Sequence, residues 1–287
     1  MNIVIASGKG GTGKTTVAVS LALSLKNSIY ADCDVEEPNG CLFLNRSSES
    51  MKTAYRLLPE IDFKKCDFCG VCASVCEFNA LSVLPDQVLL FDELCHSCGA
   101  CSYFCPKKAI RETEAPIGTI RYGRVLPEEI AYIEGRLNVG EMMAGPLIDQ
   151  VKKSLNPENI NILDAPPGTA CSMVEIARDA DYCLLVTEPT PFGLHDLKLA
   201  VKVLRILRRP FSVIINKALE TSNLIEHYCE QERIPVSLRI PYSRELAEGY
   251  SRGKPAVHIF PEMKKQFHAL IIRIKNSIEK PVTENAT

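Results

Sequence analysis

Residues 66 to 105 carry the run C-x2-C-x2-C-x3-C twice, as Cys66, Cys69, Cys72 and Cys76, then Cys95, Cys98, Cys101 and Cys105 followed by Pro106. A segment this short cannot bury enough apolar surface to hold itself together, so metal or disulfides must organise it. It accounts for eight of the 13 cysteines in a chain of 287 residues, a length that suits one α/β domain together with a small metal-organised one. The chain opens as Met-Asn followed by an apolar strand, without a basic-then-apolar leader, so a cytoplasmic setting with reduced thiols is expected. In that setting dense cysteine runs are metal ligands more often than disulfides. No apolar stretch approaches the 18 or so residues of a membrane span, and a net charge of −2 leaves no footprint for nucleic acid.

Outside that segment the pattern is that of an α/β protein with a doubly wound, mostly parallel sheet. Apolar Ile3-Val4-Ile5-Ala6 predicts a strand, a Gly-rich turn follows, and a helix is expected from about Thr15 to Lys26. A second strand, Ile29-Tyr30-Ala31, ends at Asp32, and further buried-type strands are expected at 161–163, 182–187 and 211–215. Runs that are apolar on both faces suit a parallel sheet covered by helices. The cysteine segment is then an insertion, dividing the chain into 1–60, 61–112 and 113–287, with Pro59 and Pro116-Ile117-Gly118 as turn punctuation at its edges. The only low-complexity stretch is Ser47-Ser48-Glu49-Ser50.

The turn after the first strand reads Gly8-Lys9-Gly10-Gly11-Thr12-Gly13-Lys14-Thr15-Thr16 and matches G-x-x-x-x-G-K-[ST] in its strand-to-helix context. Backbone N–H groups of such a loop cradle phosphates at a helix N-terminus. Lys14 reaches the β and γ oxygens, and the Thr15 hydroxyl joins a Mg2+ shell.

The additional lysine, Lys9, makes this loop resemble the deviant Walker motif of the MinD/Mrp group of ATPases, which includes the nitrogenase iron protein. The resemblance implies that Lys9 acts in trans on the partner's nucleotide across an ATP-bound homodimer; read alone, it is a solvated loop charge. Asp32-Cys33-Asp34-Val35-Glu36-Glu37-Pro38-Asn39 looks like the group's switch I, implying that Asp34 orients the attacking water, and Ile162-Leu163-Asp164-Ala165-Pro166-Pro167-Gly168 resembles Walker B and switch II, implying Asp164 as the magnesium-side carboxylate. Asn216-Lys217 and Pro241-Tyr242 resemble the adenine contacts, a reading that ordinary turn chemistry also accommodates.

The cysteine segment resembles a bacterial-type ferredoxin with two [4Fe-4S] clusters, in which the fourth cysteine of each run serves the other cluster. That implies Cys66, Cys69, Cys72 and Cys105 for one cluster, and Cys95, Cys98, Cys101 and Cys76 for the other. Zinc is the competing metal, though it favours paired C-x2-4-C halves. The pattern departs at Glu77, where proline would follow Cys76; the acid either lowers the potential of the nearby cluster or sits in solvent.

Of the other cysteines, Cys183 reads as a buried apolar residue and Cys33, between two acids, as a poor thiolate; Cys41 and Cys229 carry no signal. Cys171 follows switch II where the nitrogenase iron protein places a cluster ligand, but without a second ligand it reads as an inert thiol. Met263, Phe267, Leu270, Ile271, Ile274 and Ile278 share one helical face, expected to close onto the sheet rather than to anchor at a membrane. His195, His227, His258 and His268 have no ligand spacing, and His96 lies between two cluster ligands, where it tunes rather than binds. The expected protein is a partner-stimulated ATPase that dimerises on MgATP and passes electrons through two clusters to a protein acceptor. A cluster carrier of the Mrp type and a positioning ATPase with structural clusters are the alternatives.

Overall fold

The computed structural model describes residues 1–279, with the side chains of Ser48 and Glu49 outside that description; residues 280–287, the end of the expected third segment, lie outside it too. In chain order the strands are β1 (Asn2–Ala6), β2 (Ser28–Asp32), β3 (Arg46–Ile61), β4 (Leu81–Val83), β5 (Val88–Leu90), β6 (Ile110–Val125), β7 (Ile130–Leu137), β8 (Ile160–Asp164), β9 (Tyr182–Thr187), β10 (Phe211–Ala218) and β11 (Val236–Pro241). The helices are α1 (Lys14–Leu23), α2 (Val71–Ser74), α3 (Ala100–Tyr103), α4 (Gly145–Lys153), α5 (Cys171–Ala177), α6 (Pro191–Ile206), α7 (Leu224–Gln231), α8 (Arg244–Ser251), α9 (Ala256–Ile259) and α10 (Met263–Glu279).

Strand order is β11-β10-β9-β1-β8-β2-β7-β6-β3, and every pairing from β11 to β7 is parallel. The central strands β2 and β9 are buried at every position, and β1 and β8 at all but the first, because helices cover both faces. The chain leaves β1 toward β8 and β2 on one side and returns to β9 on the other. β1 is thus the point where the winding reverses, and ligands of open α/β sheets sit at the carboxyl ends of strands there.

The predicted strands recur with small extensions, β10 running three residues beyond Ile215. Helix α1 stops at Leu23 rather than Lys26. Its last turn tightens through Ser24 N to Leu21 O and Leu25 N to Ala22 O, each 3.1 Å, while the Ser24 and Ser28 hydroxyls take the Ser20 and Ala22 carbonyls, so the free carbonyls of the helix end are met early. Helix α10 buries Met263, Phe267, Leu270, Ile271 and Ile274 against the core it shares with α1 and β11, leaving Ile278 at the exposed end of the stripe. Each such burial contributes roughly 1.5–3 kcal/mol before entropy is counted. Among the described residues no helix is long and apolar enough to cross a membrane.

The chain divides into two compact units. Among the described residues one comprises 1–51, 120–136 and those from 148 onward; the other 52–119 and 137–147. The boundaries expected at 61 and 112 therefore lie too far inward, and the supposed turn punctuation is strand: Pro59 lies in β3, an edge strand that tolerates a missing N–H, and Pro116-Ile117-Gly118 lies in β6.

The second unit contains a local twofold repeat that goes beyond the cysteine spacing. Helices α2 and α3 correspond, each starting after a left-handed glycine, Gly70 and Gly99. Left-handed Phe68 matches Ser97, and Asn79 matches Lys108. Between the halves β4 and β5 pair antiparallel, Leu81 with Leu90 and Val83 with Val88.

Candidate functional site

The phosphate loop spans β1 to α1 and depends on two glycines in particular. Gly13 has φ +88°, a conformation that disfavours any Cβ, and a Cβ there would run into Asn216 Nδ2. Gly8 abuts the backbone of Asp196 with no room for a side chain. Gly10 and Gly11 have open space in front of them. The loop is pinned from β10: Asn216 Nδ2 donates to Thr12 O at 2.7 Å and Lys217 Nζ to Gly11 O at 2.9 Å.

A cavity of about 460 Å3 opens on this loop, lined from Gly10 to Thr16 and by Asp34, Asn216, Pro241 and Tyr242. That size falls within the range of about 300–1,000 Å3 of small-molecule sites. Apolar Ala256, Met263 and Phe267 line its far end, and the Thr12 hydroxyl is buried without a partner beside the phosphate loop. Gly8 lies behind the wall rather than in it.

Three acids meet at the carboxyl ends of neighbouring strands. Asp32 and Asp164 are in register on β2 and β8, both fully buried. Lys14 Nζ lies 2.7 Å from Asp164 Oδ1 and 3.7 Å from Asp34 Oδ2. Burial alone would lower Lys14, yet Asp164, with Asp34 and Asp32, outweighs it and lifts the lysine above its ordinary value. Burial and the Asp164 charge push Asp32 well above the usual carboxylate range; its oxygens accept Gly40 N at 2.9 Å and Asp34 N at 3.2 Å. Burial raises Asp34 to about 6, partly offset by Lys14. A carboxyl whose folded pKa exceeds its unfolded one binds extra protons in the native state between the two values, so stability falls as pH rises through that window. Replacing Asp34 with asparagine is accordingly expected to flatten the stability profile between about pH 4 and 6 and to raise stability at pH 7 by about 1 kcal/mol, screening considered. Urea titrations of nucleotide-free protein check this; a variant whose profile parallels the wild type overturns it.

Lys9 is not a free loop charge. Its Nζ pairs with Glu188 Oε1 at 2.5 Å, and Lys217 holds Glu188 Oε2 at 3.2 Å. Against the opposing effect of burial, those lysines keep Glu188 below its ordinary range. Sequence reasoning missed Glu188, although it stands one residue past the end of β9, where α/β sheets place functional acids. It also missed Tyr30, which donates to Asp164 Oδ2 at 3.0 Å, and fully buried Glu134, bonded by Tyr132 and approached by Arg136 and Arg121.

In the second unit two cavities partition the eight cysteines. One, of about 20 Å3, is lined by Cys66, Cys69, Cys72 and Cys105 with Ile61, Val71, Val83, Val88 and Ile110. The other, also about 20 Å3, is lined by Cys76, Cys95, Cys98 and Cys101 with Phe78, Leu81, Leu90 and His96. The fourth cysteine of each run thus faces the other run's cavity. Its sulfur accepts a backbone N–H in matching fashion, Ala80 N to Cys76 Sγ and Ala109 N to Cys105 Sγ, both 3.3 Å. Burial raises Cys72 and Cys95 and pushes Cys101 up to about 11. Among the described residues no group of three or more His, Cys, Asp or Glu side chains is placed to hold a metal ion. Buried Arg56 donates to Cys95 O at 3.0 Å and pairs with Glu141 at 3.3 Å. His96 stacks on Phe78 at 3.5 Å, and Glu77 is exposed.

Cys183 and Cys229 are buried and raised by that burial to about 12 and about 11. Burial and the Asp32 charge raise Cys33 well above the ordinary thiol value. Cys171 is exposed at the start of α5. His195, His227 and His258 engage Asp196, Gln231 and Glu128 individually, with no shared centre.

This loop, sheet and acid row define a P-loop nucleotide-binding protein. Residues 3–256 match the CobQ/CobB/MinD/ParA nucleotide-binding domain family, to which the chain belongs. It is similar to an uncharacterised protein of Methanocaldococcus jannaschii, 31% identical over 267 residues that cover 88% of this chain and 90% of that one. An iron-sulfur cluster carrier protein of the same organism is 22% identical, covering 96% of this chain and 84% of its own length. Among solved structures, the septum site-determining protein MinD of Pyrococcus horikoshii, complexed with Mg-ADP, superposes with a TM-score of 0.58 at 20% identity, covering 98% of this chain and 99% of the other.

Proposed function

We propose that this chain is an ATPase that carries two [4Fe-4S] clusters and couples ATP-driven homodimerisation to electron transfer toward a protein acceptor. The observation that carries the reading is the division of eight cysteines between two cavities, four to each, in the crossed pairing of a two-cluster ferredoxin. The donor set fits: soft thiolates, apolar walls and backbone N–H groups aimed at two of the sulfurs. When bound, the clusters would supply one-electron chemistry; Cys66, Cys69, Cys72 and Cys105 would hold one, and Cys95, Cys98, Cys101 and Cys76 the other.

At the nucleotide, Lys14 exchanges Asp164 for the phosphate oxygens, which leaves Asp164 and the Thr15 hydroxyl to hold Mg2+. When bound, Mg2+ would supply charge neutralisation for the transferred phosphoryl group. Asp34, partly buried and raised to about 6, accepts a hydrogen bond from the attacking water and positions it. Lys9 leaves Glu188 to reach the partner's nucleotide in the dimer. Asn216, Pro241 and Tyr242 bound the adenine end. The family's reaction is ATP hydrolysis, and hydrolysis is slow until a partner protein docks.

The relatives named as iron-sulfur cluster carriers support a second reading, delivery of a labile cluster. Linkage separates the two. If nucleotide and electron are coupled, MgATP shifts the cluster potential, and reduction changes ATP affinity by the same factor. A tenfold coupling, about 1.4 kcal/mol, is expected as a shift of about 60 mV in an anaerobic potentiometric titration followed by EPR. Clusters that titrate identically with and without MgATP, in wild type and Asp34→Ala alike, would overturn gated electron transfer and favour the carrier.

A further inference from the structure

The magnesium-side acid is held from two directions. Lys14 takes Asp164 Oδ1, and the second oxygen is met by Tyr30 OH at 3.0 Å in a fully buried setting. Lys14 must leave Asp164 when phosphates arrive, whereas nothing in nucleotide chemistry displaces a neutral phenol. The Tyr30 ring is fixed independently. It stacks on Tyr132, its register partner on β7, with centroids 6.0 Å apart, and the Tyr132 hydroxyl is itself tied to buried Glu134. On the other side Tyr30 abuts Gly40, where a Cβ would overlap its hydroxyl and approach its ring carbons. Gly40 N in turn donates to Asp32 Oδ2. One phenol therefore stands between the switch II acid and the backbone that closes the loop after switch I.

We propose that Tyr30 is a positioning residue of the nucleotide site: its hydroxyl fixes the rotamer of Asp164 so that one oxygen faces the metal once Lys14 has moved, and its contact with Gly40 makes that orientation depend on where the Asp32 to Gly40 loop places Gly40. This rests on the nucleotide reading above and assigns Tyr30 no contact with nucleotide or metal. The role predicts an effect confined to the magnesium-dependent part of binding. Without Mg2+, ADP is held by the loop amides, Lys14 and the adenine wall, whereas the Tyr30 hydroxyl bonds to Asp164. With Mg2+, Asp164 must present an oriented oxygen, and the hydrogen bond that orients it is of the charge-assisted kind.

The test is ADP affinity of the full chain in EDTA and in Mg2+, by calorimetry, for wild type, Tyr30→Phe, Gly40→Ala and Tyr132→Phe, with the melting temperature of each ligand-free protein alongside. Tyr30→Phe is expected to bind ADP in EDTA within about twofold of wild type and to lose about tenfold in Mg2+. Gly40→Ala, which displaces the phenol from the opposite side, is expected to move in the same direction. Tyr132→Phe removes a neighbouring buried hydroxyl without touching Asp164 and is expected to keep the wild-type response to Mg2+. Equal losses with and without Mg2+, or an unchanged Mg2+ response in both Tyr30→Phe and Gly40→Ala, would overturn the assignment. A wild-type protein that binds no ADP in either buffer would refute the nucleotide reading as well, a result plainly different from a Mg2+-responsive wild type with unaffected variants.

Discussion

Replacing Lys14 with methionine is expected to reduce ATP hydrolysis by at least about 100-fold, measured as phosphate release at saturating MgATP. The lysine is 7% exposed at its side chain and placed between Asp164 and Asp34, so its charge is little screened. In the reacting complex the same charge lies against the γ-phosphate, where the developing negative charge gains most from a preorganised cation. The substitution also has a second, opposite-facing consequence. Without nucleotide it leaves Asp32, Asp34 and Asp164 packed together with their nearest cation gone, and breaking a buried pair in this way costs about 3–5 kcal/mol unless a carboxyl protonates. The pKa values of Asp32 and Asp34, already raised by burial, then rise further above their unfolded values. Its stability deficit should therefore be largest near neutral pH and shrink as pH falls through the raised values. Hydrolysis within about tenfold of wild type would remove Lys14 from the catalytic set, and a deficit that does not depend on pH would show that the three acids are not the cause.

Much of this site is legible in the sequence because its chemistry is local. The span from Gly8 to Thr16 fixes a backbone shape by glycine placement alone, and Gly13 takes the left-handed conformation that such a loop needs. Asp34 and Asp164 are equally visible, since Asp164 ends a short apolar strand and Asp34 follows the end of another by two residues. What sequence could not supply is lateral pairing. That Asp164, Asp32 and Glu134 stand side by side on three neighbouring strands follows from the order and register of β8-β2-β7, a long-range property no local pattern encodes. Tyr30 reads as one more apolar strand residue until β8 brings Asp164 beside it. Glu188 reads as a loop charge until β9 and β10 bring Lys9 and Lys217 to the same point. The long strands β3 and β6 escaped detection for a different reason. Proline interrupts both of them and glycine also interrupts β6, which alternates buried with exposed positions only in part, so the period-2 signal is weak.

The crossed assignment of the cysteines leads to the other large expected effect. Cys105 belongs by sequence to the second run but lines the cavity of Cys66, Cys69 and Cys72, and Cys76 makes the reverse exchange. After anaerobic reconstitution, Cys105→Ser is expected to lose the cluster of the first three cysteines and keep the other. Iron then falls from about eight atoms per chain to about four. Serine is too hard a donor to replace thiolate well, and the Ala109 N–H that now meets Cys105 Sγ would no longer face a sulfur. Iron content alone cannot tell a crossed from a sequential pairing, because either removes one cluster, so spectral identity decides. In EPR of the reduced protein, Cys105→Ser should lose the same signal as Cys69→Ser, and Cys76→Ser the same signal as Cys98→Ser. If Cys105→Ser instead matches Cys98→Ser, each run ligates its own cluster and the two cavities do not partition the ligands. If all four variants retain about eight irons, the thiols are not cluster ligands and the electron-transfer reading falls with them. The matching of spectra is the more exacting observation, since it tests the fold of the second unit, with its twofold repeat of Gly70 with Gly99 and Asn79 with Lys108, in the same measurement that tests its chemistry.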